Sequence, residues 1–227
     1  MQIAARDRTR MGIQAEILGA SALGIRNILC LTGDHSRFGP APHGRMDIWD
    51  LDSIQMIWLL RRMRDDNHFL DNREIKFAPK LFLGAAGSPF ASEVRFQAIR
   101  EEKKINAGAQ FFQTNLVYDT DIFERYMEAL DKRGLLQRVY LLPGINPIRS
   151  KQAADKLSQV PGIQIPNTLM KRIENSPDPK EEGIQVALET IDRIKSMPGI
   201  NGIHFMTIGF ESIIPRLMEE SGLQKML

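Results

Sequence analysis

Arg26-Asn27-Ile28-Leu29-Cys30-Leu31-Thr32-Gly33-Asp34 is the stretch from which the fold can be read. Asn27 to Leu31 is short and almost wholly apolar, the pattern of a parallel strand buried on both faces. The run stops at Thr32-Gly33-Asp34. A glycine lets the backbone turn tightly and lets a bound group come close. The carboxyl ends of parallel strands are where α/β proteins place their ligands. By itself the tripeptide also fits an ordinary loop glycine followed by a solvated aspartate. Its meaning depends on the rest of the chain.

Working outward, residues 2–5 read as the tail of a strand and residues 9–23 as a helix. Ile13, Ile17, Ala20 and Leu23 form that helix's apolar stripe, and Gly24 stands where it stops. Residues 36–45 form a loop rich in proline and glycine. Asp52 with Gln55 reads as a capping box opening a helix to about residue 63, and residues 64–74 as a charged surface loop. Strands are expected over 80–86, 110–116, 138–145 and 200–208. Helices are expected over 92–106, 119–132, 150–157 and 211–221, with Pro166 and Asp178 opening two more. Strand–helix alternation of this kind predicts a parallel sheet with helical crossovers. An open doubly wound sheet and part of an eight-stranded barrel both satisfy it. Polar residues recur at successive strand ends (Asp34, Ser88, Gln113 with Asn115, Asn146, then His204 and Thr207), as in a barrel that builds its site there. No Gly-x-Gly-x-x-Gly follows the early strands, which argues against a Rossmann dinucleotide site.

Composition narrows the function classes. The 227 residues are 43% hydrophobic and 26% charged, enough for a sizeable globular core. A net charge of +2 without any basic block does not suggest nucleic acid. No apolar run reaches membrane-spanning length and the start has no signal-peptide pattern, so a cytoplasmic protein is expected. Cys30, the single cysteine, sits in the apolar strand as a small core residue. One cysteine and four histidines do not make a zinc site of the usual Cys/His spacing, and no metal is expected.

The chain resembles the methylenetetrahydrofolate reductases, flavin enzymes built on a (β/α)8 TIM-type barrel. The resemblance is carried by Ala5-Arg6-Asp7-Arg8, by Leu18 to Asn27, by Leu31-Thr32-Gly33-Asp34-His35 and by Asp50-Leu51-Asp52-Ser53. It continues in Lys104-Ile105-Asn106-Ala107-Gly108-Ala109 with Phe112-Gln113-Thr114-Asn115, and in Pro143-Gly144-Ile145-Asn146-Pro147. Pro161-Gly162-Ile163, Ile165-Pro166 and Gly202-Ile203-His204-Phe205-Met206 complete it. It implies one incomplete barrel domain over residues 1–227, about strands 3–8 with their helices. It implies FAD, with NADH or NADPH as electron donor, and reduction of methylenetetrahydrofolate to methyltetrahydrofolate in one-carbon metabolism and methionine biosynthesis. Gly33 and Asp34 would lie beside the flavin ring, with Asp34 as the catalytic residue facing the folate. A fixed negative charge there would tune the flavin's potential. Gln2, Thr32, Trp49, Asp50, Ser88, Lys103 and Lys104 would be further cofactor contacts. Gln113, Asn115 and Phe210 would touch the substrate.

The departures from the family pattern are informative. The family's first two strands and most of its third have no counterpart. The glutamate that protonates the folate is expected outside this chain, with Met1 an internal methionine. Asn115 stands where most members have glutamine, and Gln2 where a histidine is common. Gly209-Phe210-Glu211 replaces a segment that in some members supplies an arginine to the folate. The alternative reading is a non-catalytic folate- or flavin-binding subunit that docks a methyltransferase or an electron-transfer partner. A homo-oligomer is a further arrangement left open, and unrelated barrel chemistry is the reading ranked last.

Overall fold

The structure is a computed structural model that describes residues 1–35 and 50–223. The expected loop at 36–45 and the cofactor contact expected of Trp49 fall outside the described residues. Fourteen elements alternate as β1 (Gln2–Ala4), α1 (Arg10–Ala22), β2 (Asn27–Leu31), α2 (Ser53–Asp65), β3 (Phe82–Gly87), α3 (Val94–Ala107), β4 (Phe111–Leu116), α4 (Thr120–Asp131), β5 (Tyr140–Ile145), α5 (Lys151–Leu157), α6 (Asn167–Asn175), α7 (Pro179–Lys195), β6 (His204–Phe205) and α8 (Ile214–Glu220). The strands follow one another in the sheet in chain order. The registers of β1 with β2, β2 with β3 and β5 with β6 are parallel. This is the α/β class that the alternation requires. No helix among the described residues is long and apolar enough to cross a membrane.

The chain divides into two compact units, Met1–Ala86 with Arg100–Phe112, and Gly87–Ile99 with Gln113–Leu227. In the first, the Thr9 side chain accepts from the Gly12 backbone N–H and opens α1, which buries Ile13, Ile17 and Ala20. Gly24, at φ +80°, ends it. Asp52 and Gln55 form the expected capping box, and α2 then runs on to Asp65, into what reads by sequence as loop. Phe82 stacks on Phe111 with ring centroids 5.3 Å apart. Gly84 is required beneath them, because a Cβ there would enter the Phe111 ring.

In the second unit Asp119 caps α4 and Asp178 caps α7, each accepting two backbone N–H bonds. Leu116, Tyr118, Ile148, Leu169, Ile173 and Val186 bury together as one cluster. Two expectations need correction here. The strand expected over 200–208 shrinks to His204–Phe205, with Ile200 making only an isolated bridge to Leu141. The cause is Asn201, whose side-chain Oδ1 accepts the Leu141 N–H at 2.9 Å, a bond that a regular ladder gives to a backbone carbonyl. The helix expected over 211–221 is a 3-10 turn at Glu211–Ile213 followed by α8. Pro215 has no N–H to return to Glu211, so an α-helix cannot run through from there.

Candidate functional site

In the first unit, the pairing of β1 and β2 continues past the strands. Ala5 N–H donates to the Leu31 carbonyl at 2.8 Å and Arg6 N–H to the Thr32 carbonyl at 2.9 Å. This brings Arg6 against Gly33. Gly33 has φ +90°, and a Cβ on it would lie 2.8 Å from the Arg6 Cβ, so both conformation and space demand glycine. The Arg6 guanidinium donates to the Asp34 backbone carbonyl at 2.6 Å and to the Asp7 carboxylate at 2.9 Å. The Asp34 side chain is left exposed, with no hydrogen-bond partner among the described residues.

The neighbouring contacts behave differently. The Thr32 hydroxyl donates to Ser53 Oγ and accepts from the Ser53 N–H, both at 3.0 Å. Its role in the structure is to seat the first turn of α2. Asp50 accepts from the Arg10 backbone N–H at 2.7 Å and from the Arg10 guanidinium at 2.6 Å and 3.0 Å. Those bonds hold its carboxyl down at about 2. A depressed carboxyl contributes stability that is present above its unfolded value near 4 and is lost as pH falls through about 2. Replacing Asp50 by asparagine is therefore expected to remove stability at neutral pH and to flatten the acid-unfolding curve between about pH 4 and 2. Circular dichroism against pH checks this, and identical curves for the two proteins would refute it.

Lys103 and Lys104 separate. Lys103 is exposed on α3. The Lys104 ammonium is buried, donates to Glu101 at 2.8 Å and to the Ala86 carbonyl at 2.6 Å, and lies 5.8 Å from the Phe112 ring centroid. Two of its N–H donors are thus bound within the unit, whereas Lys103 faces solvent. Gln2 is exposed on β1, in register with Leu29.

In the second unit, Gln113 and Asn115 alternate with buried Thr114 along β4 and share one half-buried face. The Asn115 amide donates to the Gly162 carbonyl at 3.2 Å. Gly162 has φ +82° and leaves no room for a Cβ against that amide. The Gln113 amide has no partner among the described residues. Ser88 is half-buried in the turn after β3. Gln97, which sequence reasoning passed over, is 2% exposed. Its amide nitrogen donates to Ser92 Oγ at 2.5 Å, and its amide oxygen is buried without a hydrogen-bond partner. The signal was present in α3, where Gln97, Glu101 and Lys104 interrupt the inward apolar stripe.

Past β5 lies a cleft of 260 Å³ with Pro147, Ile148, Leu157, Val160 and Ile208 among its walls and Arg149 and Lys156 at its edge. Arg149 donates to the Gly209 carbonyl at 2.8 Å and lies over the Phe210 ring at 5.8 Å. Lys180 approaches the same ring at 4.9 Å. Phe210 is only 9% exposed. Expected to touch the substrate, Phe210 has its ring met by these two cations in the structure. His204 is half-buried, and burial lowers its pKa. Among the described residues no group of three or more His, Cys, Asp or Glu could hold a metal ion.

Comparison with known proteins bears on this arrangement. The family model described as methylenetetrahydrofolate reductase matches residues 1–222. The chain belongs to the methylenetetrahydrofolate reductase family. Methylenetetrahydrofolate reductase 2 of Schizosaccharomyces pombe is 25% identical over 90% of this chain and 32% of its own length. The 5,10-methylenetetrahydrofolate reductases of Pectobacterium carotovorum and Escherichia coli are 24% and 23% identical over 82% of the chain, covering 56% and 57% of theirs. The chain thus spans between a third and a little over half of these curated relatives. Among solved structures, a chain aligns over all of this one and 73% of itself with a TM-score of 0.60 at 14% identity. It is described as an uncharacterized protein from Clostridium thermocellum that binds two copies of 5-methyl-5,6,7,8-tetrahydrofolic acid. At that identity it establishes the likeness of fold. For this member of the reductase family, Gln97, Arg149 and Lys156 are polar side chains that the sequence reading did not single out.

Proposed function

We propose that this chain serves the flavin-dependent reduction of 5,10-methylenetetrahydrofolate to 5-methyltetrahydrofolate in the cytoplasm. Its strands stand for about the third to the eighth of an eight-stranded barrel. The observation that carries the reading is the family match across residues 1–222. The solved neighbour's two bound methyltetrahydrofolates favour a folate as ligand.

FAD, when bound, supplies the hydride-transfer chemistry, with NADH, NADPH or a protein as electron source. The residues present fit such a group in part. The buried amide oxygen of Gln97 needs a donor, and a ring N–H is one. Gly33 keeps the strand end open to a flat ligand, and exposed Lys103 is a point charge for a phosphate. Thr32, Asp50 and Lys104 already spend their polar groups within the chain. In the first unit Asp34 offers a carboxylate, and in the second Gln113 and Asn115 offer amide groups, each of a kind that suits a pterin edge.

The alternative, a non-catalytic folate- or flavin-binding subunit, draws on Asn115, which donates one of its two amide N–H groups to Gly162. The test is a visible spectrum of the chain after addition of FAD and desalting. A retained flavin band that bleaches with a nicotinamide donor and recovers with methylenetetrahydrofolate is expected. Asp34→Asn should keep the band and slow the recovery roughly 100-fold, the scale of losing one placed electrostatic group. A band that bleaches and never recovers selects the binding subunit, and a colourless protein overturns flavin dependence.

A further inference from the structure

Residues 158–166 join α5 to α6 outside any helix or strand. Connections of this kind are the more mobile parts of a fold. This one is a strap tied down at several points. Ile163 and Ile165 pack against the buried cluster of Leu116, Tyr118 and Ile148. The Gln164 amide donates to the Phe90 carbonyl at 2.7 Å. The Asn115 amide, from β4, donates to the Gly162 carbonyl at 3.2 Å. Gly162 is shaped for that second tie. It has φ +82°, and a Cβ on it would lie 2.3 Å from the Asn115 amide nitrogen, so a side chain there would displace the group that holds the strap.

Gln113 stands two residues earlier on the same half-buried face of β4. Residues two apart on a strand are separated by about 7 Å, roughly the reach of one flat ring. The Gln113 amide has no partner among the described residues, so its donor and its acceptor both remain available. A ring whose polar edge meets Gln113 therefore has the Asn115–Gly162 tie beside it. The two amides look equivalent in sequence, yet one is committed to the strap and the other is not.

We propose that they divide the work: Gln113 reads the donor–acceptor edge of the folate ring, and Asn115 is a positioning residue that holds the strap shut beside that ring. This rests on the folate reading above. The strap then governs how fast the ring leaves, and Asn115 acts on the ligand only through it.

Two measurements on the full chain test this: amide hydrogen exchange over residues 158–166, and stopped-flow binding of 6-methyltetrahydropterin. Asn115→Ala is expected to speed exchange in the strap about 5-fold, the worth of one neutral hydrogen bond, and to spare α4 and α7. Gln164→Met cuts the other tie from outside β4 and should speed it by a similar factor. Both variants should release the pterin faster, again by similar factors. Gln113→Met should leave strap exchange as in wild type and weaken the pterin about 3- to 10-fold. Faster release in Asn115→Ala without any in Gln164→Met means that Asn115 touches the ligand directly, and overturns the inference. Unchanged strap exchange in Asn115→Ala overturns it too, as does wild-type affinity in Gln113→Met. In those three cases the folate reading stands. No binding of the pterin by wild type overturns both.

Discussion

Replacing Lys104 by methionine is expected to destabilise the protein by about 3–5 kcal/mol, the cost of removing one partner from a buried ion pair. Lys104 and Glu101 have side-chain exposures of 7% and 1%, and their atoms meet at 2.8 Å. Methionine fills the same volume, so the loss comes from charge. The Glu101 carboxylate loses the Lys104 bond in a medium of low polarity, and the Ala86 carbonyl loses a donor at 2.6 Å. Changing Glu101 to leucine together with Lys104 to methionine should return most of the stability, since a well-packed apolar pair costs nothing to desolvate. Urea unfolding measures all three proteins. A single variant within about 0.5 kcal/mol of wild type would show that the pair is not buried as described.

Gly183→Ala should also unfold the protein at far lower denaturant, although alanine is the better helix former by about 1 kcal/mol. Gly183 lies inside α7, where its backbone presses on the turn after β5. A Cβ there would overlap the Ile148 carbonyl oxygen and stand 2.7 Å from its carbonyl carbon. Backbone cannot move aside as a side-chain tip can, so the helix must back away from Ile148, which is itself 1% exposed. The cost lies at or beyond the upper end of the about 1–3 kcal/mol typical of overpacked cores. Gly19→Ala in α1 is the control: nothing lies within 4 Å of a Cβ there. That variant should gain about 0.5–1 kcal/mol. If both changes stabilise, the close approach of α7 to Ile148 is wrong.

Much of the architecture was legible because its signals are local. The Asp52–Gln55 box, the Asp119 and Asp178 caps and the stop at Gly24 each involve residues within one helical turn. The last strand was not legible. Ile200 to Ile208 has the composition of a strand, and a single asparagine side chain across the ladder shortens it. The split of the last helix was available in principle, since Pro215 forbids the continuous form. At the candidate site the sequence placed Gly33 and Asp34 just after β2, and the structure shows Gly33 at φ +90° and the Asp34 side chain exposed. Its polar contacts were read less well, because residue type does not reveal whether a side chain is already bound.

The sequence by itself determined the order of strands and helices, the parallel α/β class and the resemblance that the family match bears out. Those follow from periodicity, caps and ordered motifs, all properties of residues near one another in the chain. Only the tertiary structure decided which polar groups are spent and which remain free. Asp50 is spent on Arg10, 40 residues away, and Thr32 on Ser53, 21 residues away. Arg149 is aimed by Gly209, 60 residues on. Lys103 and Lys104 are adjacent in sequence, yet one faces water and the other an interior carboxylate. A helix turns about 100° per residue, so neighbours in the chain are assigned to different surroundings, and only the packed fold says which surroundings those are.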